Sequence, residues 1–106
     1  MVHNDPETVL LYKRGSWRLD AHIGEDEKLV IIDGNTEGEM HFILPKSEVP
    51  RLHKFLKRKT KLPKTTHVLA MLETAFADTD KNRIEEIKVF YNDHGLKWRS
   101  EFWGLN

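Results

Sequence analysis

The hydrophobic pattern of this chain changes period once, near residue 45, and that change limits the folds open to it. From Trp17 onward the residues alternate. Trp17, Leu19, Ala21 and Ile23 fall on one side, and Arg18, Asp20 and His22 on the other. A period of two is the pattern of a strand with one buried face. Residues 8–12 are β-prone. Residues 29–32 form an unbroken run of Leu, Val and Ile, which predicts a central strand covered on both sides. Met40, Phe42 and Leu44 alternate with His41 and Ile43. Turn residues separate these runs at Gly15, at 24–27 and at Asp33-Gly34-Asn35. Residues 1–44 therefore predict an antiparallel meander.

Beyond residue 45 the apolar positions recur at helical spacing. Val49, Leu52, Phe55 and Leu56 predict a helix over 47–59, with Ser47 as N-cap and Pro50 in the first turn. Val68, Leu69, Met71, Leu72, Ala75 and Phe76 predict a second helix over 66–77, capped by Thr65 or Thr66. Ile84, Ile87, Phe90 and Tyr91 predict a third over 83–94, opened by a capping box from Asn82 to Glu85. Gly95 suits the left-handed position after that helix, with Leu96 folding back in a Schellman end. The Val, Phe, Tyr and Trp residues of 89–103 also suit a hairpin, but the Glu85-Glu86 start and the spacing favour the helix. Lys97 and the aromatic residues up to Trp103 predict a closing strand.

The fold class expected is α+β: a single domain with a four- or five-stranded, mainly antiparallel sheet and three helices on one face. Its parts are a meander (1–44), a helical segment (45–96) and a closing strand (97–103). Its core is expected to contain Trp17, Leu19, Val30, Ile32, Phe42, Leu52, Leu56, Leu69, Leu72, Phe76, Ile84, Ile87, Phe90, Trp98 and Phe102. A chain of 106 residues holds one core, not two. Its ten aromatic side chains are enough to anchor that core despite a charged fraction of 32%.

Other classes are excluded by what is missing. There is no cysteine, hence no disulfide, thiolate nucleophile or Cys-based metal site. No apolar run is long enough to span a membrane, and the first residues, MVHNDPET, lack the pattern of a secretory signal. A cytoplasmic location is expected. The three serines stand outside any nucleophile-elbow context. None of the six histidines pairs at i, i+4, and no HExxH occurs. Asp20, His22 and His41 are the one combination a meander brings onto a common face, and they read as an ordinary polar sheet face. Residues 33–38 have the flavour of a calcium loop, but Leu44 stands where the closing Glu belongs, so they read as a hairpin loop. No enzymatic activity, no cofactor and no metal are expected.

The formal charge is zero, yet it is segregated. Residues 1–50 carry ten acids against five bases, and residues 51–106 seven acids against twelve bases. Asp20, Glu25, Asp26, Glu27, Asp33, Glu37 and Glu39 share a stretch with a single base, Lys28. Arg51, Lys54, Lys57, Arg58, Lys59, Lys61 and Lys64 share one with no acid. The acidic stretch suits steering toward a basic protein partner, and Trp103 is a candidate anchor in such a contact. The basic stretch, with Arg51, Lys54, Lys57, Arg58, Lys61 and Lys64, is the alternative: a phosphate-gripping surface for nucleic acid. A sequence pI near 7.0 and the lack of a nucleic-acid-binding signature disfavour that alternative.

The order of elements resembles the immunity proteins of contact-dependent growth inhibition and related polymorphic toxin systems of bacteria. The residues that carry the resemblance are the short meander, the Leu44-Pro45-Lys46-Ser47 approach to a helix, the Asn92-Asp93-His94-Gly95 helix end and the aromatic strand from Trp98 to Trp103. It implies a stoichiometric inhibitor that binds a cognate toxin domain and blocks or distorts its active site. The expected function is thus a non-catalytic protein-binding module whose partner is a basic toxin domain, such as a nuclease.

Overall fold

The computed structural model describes residues 7–77 and 83–104. Five strands form one sheet in sequence order, every neighbour antiparallel. They are β1 (Glu7–Arg14), β2 (Trp17–Ile23), β3 (Leu29–Gly34), β4 (Gly38–Leu44) and β5 (Arg99–Gly104). Three helices, α1 (Val49–Thr60), α2 (Val68–Ala75) and α3 (Arg83–Asp93), lie between β4 and β5 in the chain. This is the α+β domain that the change of period implies.

Strand pairing fixes which side chains face the helices. Leu19 and Ala21 of β2, Leu29 and Ile31 of β3, and Phe42 and Leu44 of β4 share the covered face. They form one cluster with Leu52 and Leu56 of α1, Val68, Leu69, Met71 and Leu72 of α2, Phe76, and Ile84, Ile87 and Tyr91 of α3. The run at 29–32 is therefore not buried alike on both sides. Leu29 and Ile31 are fully buried, whereas Val30 and Ile32, expected in the core, are half-buried on the opposite face. A run without polar alternation cannot state its own parity; the neighbouring strands decide it.

Other core expectations need correction. Trp17 is half-buried at the rim, where its edge meets the Tyr12 ring and its indole N–H donates to Asp33. Phe90 and Trp98 are also half-buried, packed against the cluster. Phe102 is 68% exposed. It lies on the outermost strand, beyond the helices, and its ring rests across Gly38, where a Cβ would come within 2.8 Å of it. Only glycine admits that approach.

The helix ends follow local chemistry. Residues 46–48 form a 3-10 turn ahead of α1, and Glu48, not Ser47, holds the cap position. Neither residue makes a side-chain capping bond. The Glu48 carboxylate is buried and instead accepts from Arg51 Nη1 at 2.8 Å and from the Lys97 amide at 3.3 Å, tying α1 to the start of β5. His67, not Thr65 or Thr66, caps α2, its Nδ1 accepting from the Leu69 amide at 3.1 Å. Arg83 closes the other end of α2, donating to the carbonyls of Phe76 and Ala77 at 2.7 Å each. Asn82 lies outside the described residues. The helix end at α3 is the Schellman geometry expected: Gly95 has φ +66°, and the amide of buried Leu96 donates to Tyr91 O at 2.9 Å.

Candidate interaction surface

All three helices occupy one side of the sheet, which leaves the other side to solvent. Antiparallel register arranges the open side in three rows. The middle row runs Leu10, Asp20, Ile32, His41, Glu101. One flanking row runs Thr8, His22, Val30, Ile43, Arg99. The other runs Lys13, Arg18, Gly34, Glu39, Trp103. The centre is apolar. Ile43 is 8% exposed yet lies outside the main core cluster; its cross-strand partners on this face are Val30 and Arg99.

One corner of this face is organised around Trp103, which is 54% exposed. Its ring stacks on His41, centroids 5.1 Å apart and planes 17° from parallel. His41 Nε2 lies 2.8 Å from Glu39 Oε1. Glu39 and Trp103 are direct cross-strand partners, and so are His41 and Glu101. Arg99 pairs with Glu101 along the strand, and its guanidinium holds the Glu101 carboxyl below the usual carboxylate range. A rigid aromatic with charged groups of both signs around an apolar centre is the composition of a protein contact.

The seven acids singled out by sequence do not form one patch. Glu25, Asp26 and Glu27 sit in the β2–β3 turn. Asp33, Glu37 and Glu39 sit at the β3–β4 loop, at the opposite end of six-residue strands, about 20 Å away. Asp20 lies between them on the open face. Several are also met by their own cations. Arg18 pairs with Asp20 at 3.2 Å, Lys28 with Asp26 at 3.8 Å and Lys46 with Glu27 at 2.8 Å. The hydrogen bond to Glu27 raises the Lys46 ammonium above its ordinary value. Arg18 and Lys46 lie outside the acidic stretch in sequence, so counting along the chain does not find them.

The basic residues are placed differently. On α1 the exposed side chains of Lys54, Lys57 and Arg58 form a stripe opposite buried Leu52 and Leu56, and exposed Lys61 follows at the helix's C-terminal cap. Arg51 is turned away to Glu48, and Lys59 sits 5.7 Å over the Phe76 ring. Lys64 follows in the loop to α2, beside Glu27 and Lys46 in a groove of about 630 Å³.

Among the described residues, no group of three His, Asp or Glu side chains is close enough to hold a metal ion. Asp20 and His41 do share a row, but Ile32 separates them, leaving about two strand spacings, roughly 10 Å. Sequence reasoning missed several members of this surface, His41 as the support of Trp103 and Arg99 and Glu101 on the edge strand, and it missed the exposure of Phe102 on the other side of that strand. It also missed an open groove of about 520 Å³ with Phe76, Val89 and Phe90 at its base and Lys59, Glu85, Glu86 and Asp93 around it. The period-two pattern of 98–103 was the available signal for the edge residues.

No family model, no curated protein and no solved structure matches the chain.

Proposed function

We propose that this chain is a non-catalytic protein-binding module, an immunity protein that binds a cognate bacterial toxin domain and neutralises it. The observation that carries the reading is Trp103, more than half exposed on a sheet face that no helix covers and held in one orientation by His41. An aromatic kept rigid before binding loses little entropy on contact, which suits it to anchor an interface. Glu39 is the cross-strand partner of Trp103, Glu37 lies in the adjoining β3–β4 loop and Asp20 lies three strands away on the same face, in keeping with a basic partner such as a nuclease. Glu25, Asp26 and Glu27 belong to a second contact at the far end of the sheet, reached only by a partner that spans the face.

The test is co-purification with the C-terminal domain of the protein encoded beside this one, followed by two variants. Trp103→Ala should weaken the complex at least about tenfold. Charge reversal at Glu25, Asp26 and Glu27 should slow association at low salt if the partner spans the face. If no such neighbour is toxic and none binds, the immunity reading falls.

The stripe of Lys54, Lys57 and Arg58 on α1, with Lys61 at its C-terminal cap, favours a second reading, a small nucleic-acid-binding module. That reading requires binding to DNA or RNA whose affinity drops steeply with salt and with Lys54→Glu or Arg58→Glu. Salt-insensitive or absent binding removes it.

A further inference from the structure

The sheet has two edges, and only one is guarded. β1 carries a bulge between Leu10 and Tyr12, ends in Lys13 and Arg14, and packs against α2. Bulges and terminal cations are the devices by which edge strands avoid pairing. β5 has no bulge, and its one terminal cation, Arg99, is paired with Glu101 of the same strand. It pairs with β4 without interruption from Arg99 to Gly104, contains no proline, and exposes Phe102 on one face and Trp103 on the other. Among the described residues no strand pairs with its outer side, so that row of backbone amides and carbonyls is a template for another strand.

The sequence of this edge is complementary to its own reverse. Taking Ser100 as centre, the pair equidistant within β5 is Arg99 with Glu101; counting on into the two residues that precede the strand, Trp98 stands against Phe102 and Lys97 against Trp103. These are an ion pair, an aromatic pair and a cation over an indole, each a favourable cross-strand combination. A small side chain, Ser100, stands at the centre. Arg99 and Glu101 share the open face with Trp103, whereas Ser100 and Phe102 share the helix side. Each pair therefore falls on a common face in an antiparallel arrangement.

We propose that a second copy of this chain docks on β5, the two strands pairing antiparallel about a two-fold axis at Ser100. The product is a continuous ten-stranded sheet. Because the axis is perpendicular to the sheet, the open faces of both copies lie on the same side and form one surface. Arg99 of each copy meets Glu101 of the other, so the contact is isologous and closed. A formal net charge of zero sets no long-range repulsion against it. The paired segment is short, so association is of the weak, reversible class. This inference does not depend on the identity of any toxin.

The experiment uses the full chain. Sedimentation velocity should show a monomer–dimer equilibrium within about 10–500 µM, the range of a small interface. Arg99→Glu places like charges opposite each other twice and should weaken the dimer at least about tenfold. The charge swap R99E/E101R should restore it. Circular dichroism confirms that these exposed changes leave the fold intact. The chain has no cysteine, so Ser100→Cys introduces a single thiol. Residues directly opposite in an antiparallel pair have Cα atoms about 4.5–5.5 Å apart, within disulfide reach. S100C should therefore cross-link to itself under mild oxidation much faster than K97C, whose thiols the same register holds far apart. A monomer throughout the range overturns the proposal. So does a dimer that ignores R99E, or one in which S100C cross-links no faster than K97C.

Discussion

Trp103 lies flat against His41, with 5.1 Å between ring centroids, while Glu39 holds the imidazole Nε2 at 2.8 Å. Three residues on two adjacent strands thus fix the orientation of the most prominent exposed indole. Because the stack is on the surface, Trp103→Ala should change folding stability by less than about 1 kcal/mol. The ring current of the indole should vanish from the His41 side-chain protons, visible as a shift in their NMR resonances. Unchanged His41 resonances would show that the two rings do not stack in solution.

Parity along β3 makes a sharp contrast between neighbours of the same type. Ile31→Ala removes a fully buried side chain from the main core and should cost about 2–5 kcal/mol. Ile32→Ala, on the open face, should cost less than half as much. Leu72→Ala, fully buried on α2, serves as reference in the same range. Chemical denaturation of the three variants checks the order, and equal losses at Ile31 and Ile32 would contradict the register.

Glu48 is the buried carboxylate that joins α1 to the chain before β5. Glu48→Ala leaves the Arg51 guanidinium and the Lys97 amide without this acceptor and should destabilise the fold by about 1–3 kcal/mol. Glu48→Gln keeps an acceptor oxygen and should lose less. Thermal or urea melts distinguish the two, and an Ala variant as stable as the parent would refute the link.

Tyr91 is fully buried, and among the described residues its hydroxyl has no hydrogen-bond partner. Burial pushes its ionisation well above the ordinary value of 10.0 for a tyrosine. The folded state therefore holds the phenolic proton more tightly than the unfolded state. That contribution to stability is complete below about pH 10 and falls as pH rises beyond it, since only the unfolded chain then ionises this group. Tyr91→Phe should flatten the alkaline limb of stability against pH. At neutral pH the variant should be as stable as the parent or about 1 kcal/mol more so, because it removes an unsatisfied buried group. An unchanged alkaline slope would indicate that Tyr91 reaches solvent.

Local pattern carried much of this fold. Alternation at 17–23 and 40–44 set strands with defined faces, and the spacing of Leu52, Leu56, Leu69, Leu72, Ile84 and Ile87 set three helices with defined buried sides, because each of those patterns is periodic within one element. Gly95 and Leu96 specified a helix end for the same reason, through backbone geometry within six residues. Where the pattern lacked a period, the sequence was silent. Leu29, Val30, Ile31 and Ile32 are equally apolar, and pairing with β2 and β4 chose which two face the helices. The candidate surface depended on tertiary structure even more. Acids adjacent in sequence were sent to opposite ends of the sheet, because a hairpin reverses direction at each turn. Cations from outside the acidic stretch, Arg18 and Lys46, were brought to Asp20 and Glu27. His41 and Trp103, 62 residues apart, became a stacked pair only because the chain returned through three helices to lay β5 beside β4. Charge and proximity across strands are properties of pairing, which no single segment encodes.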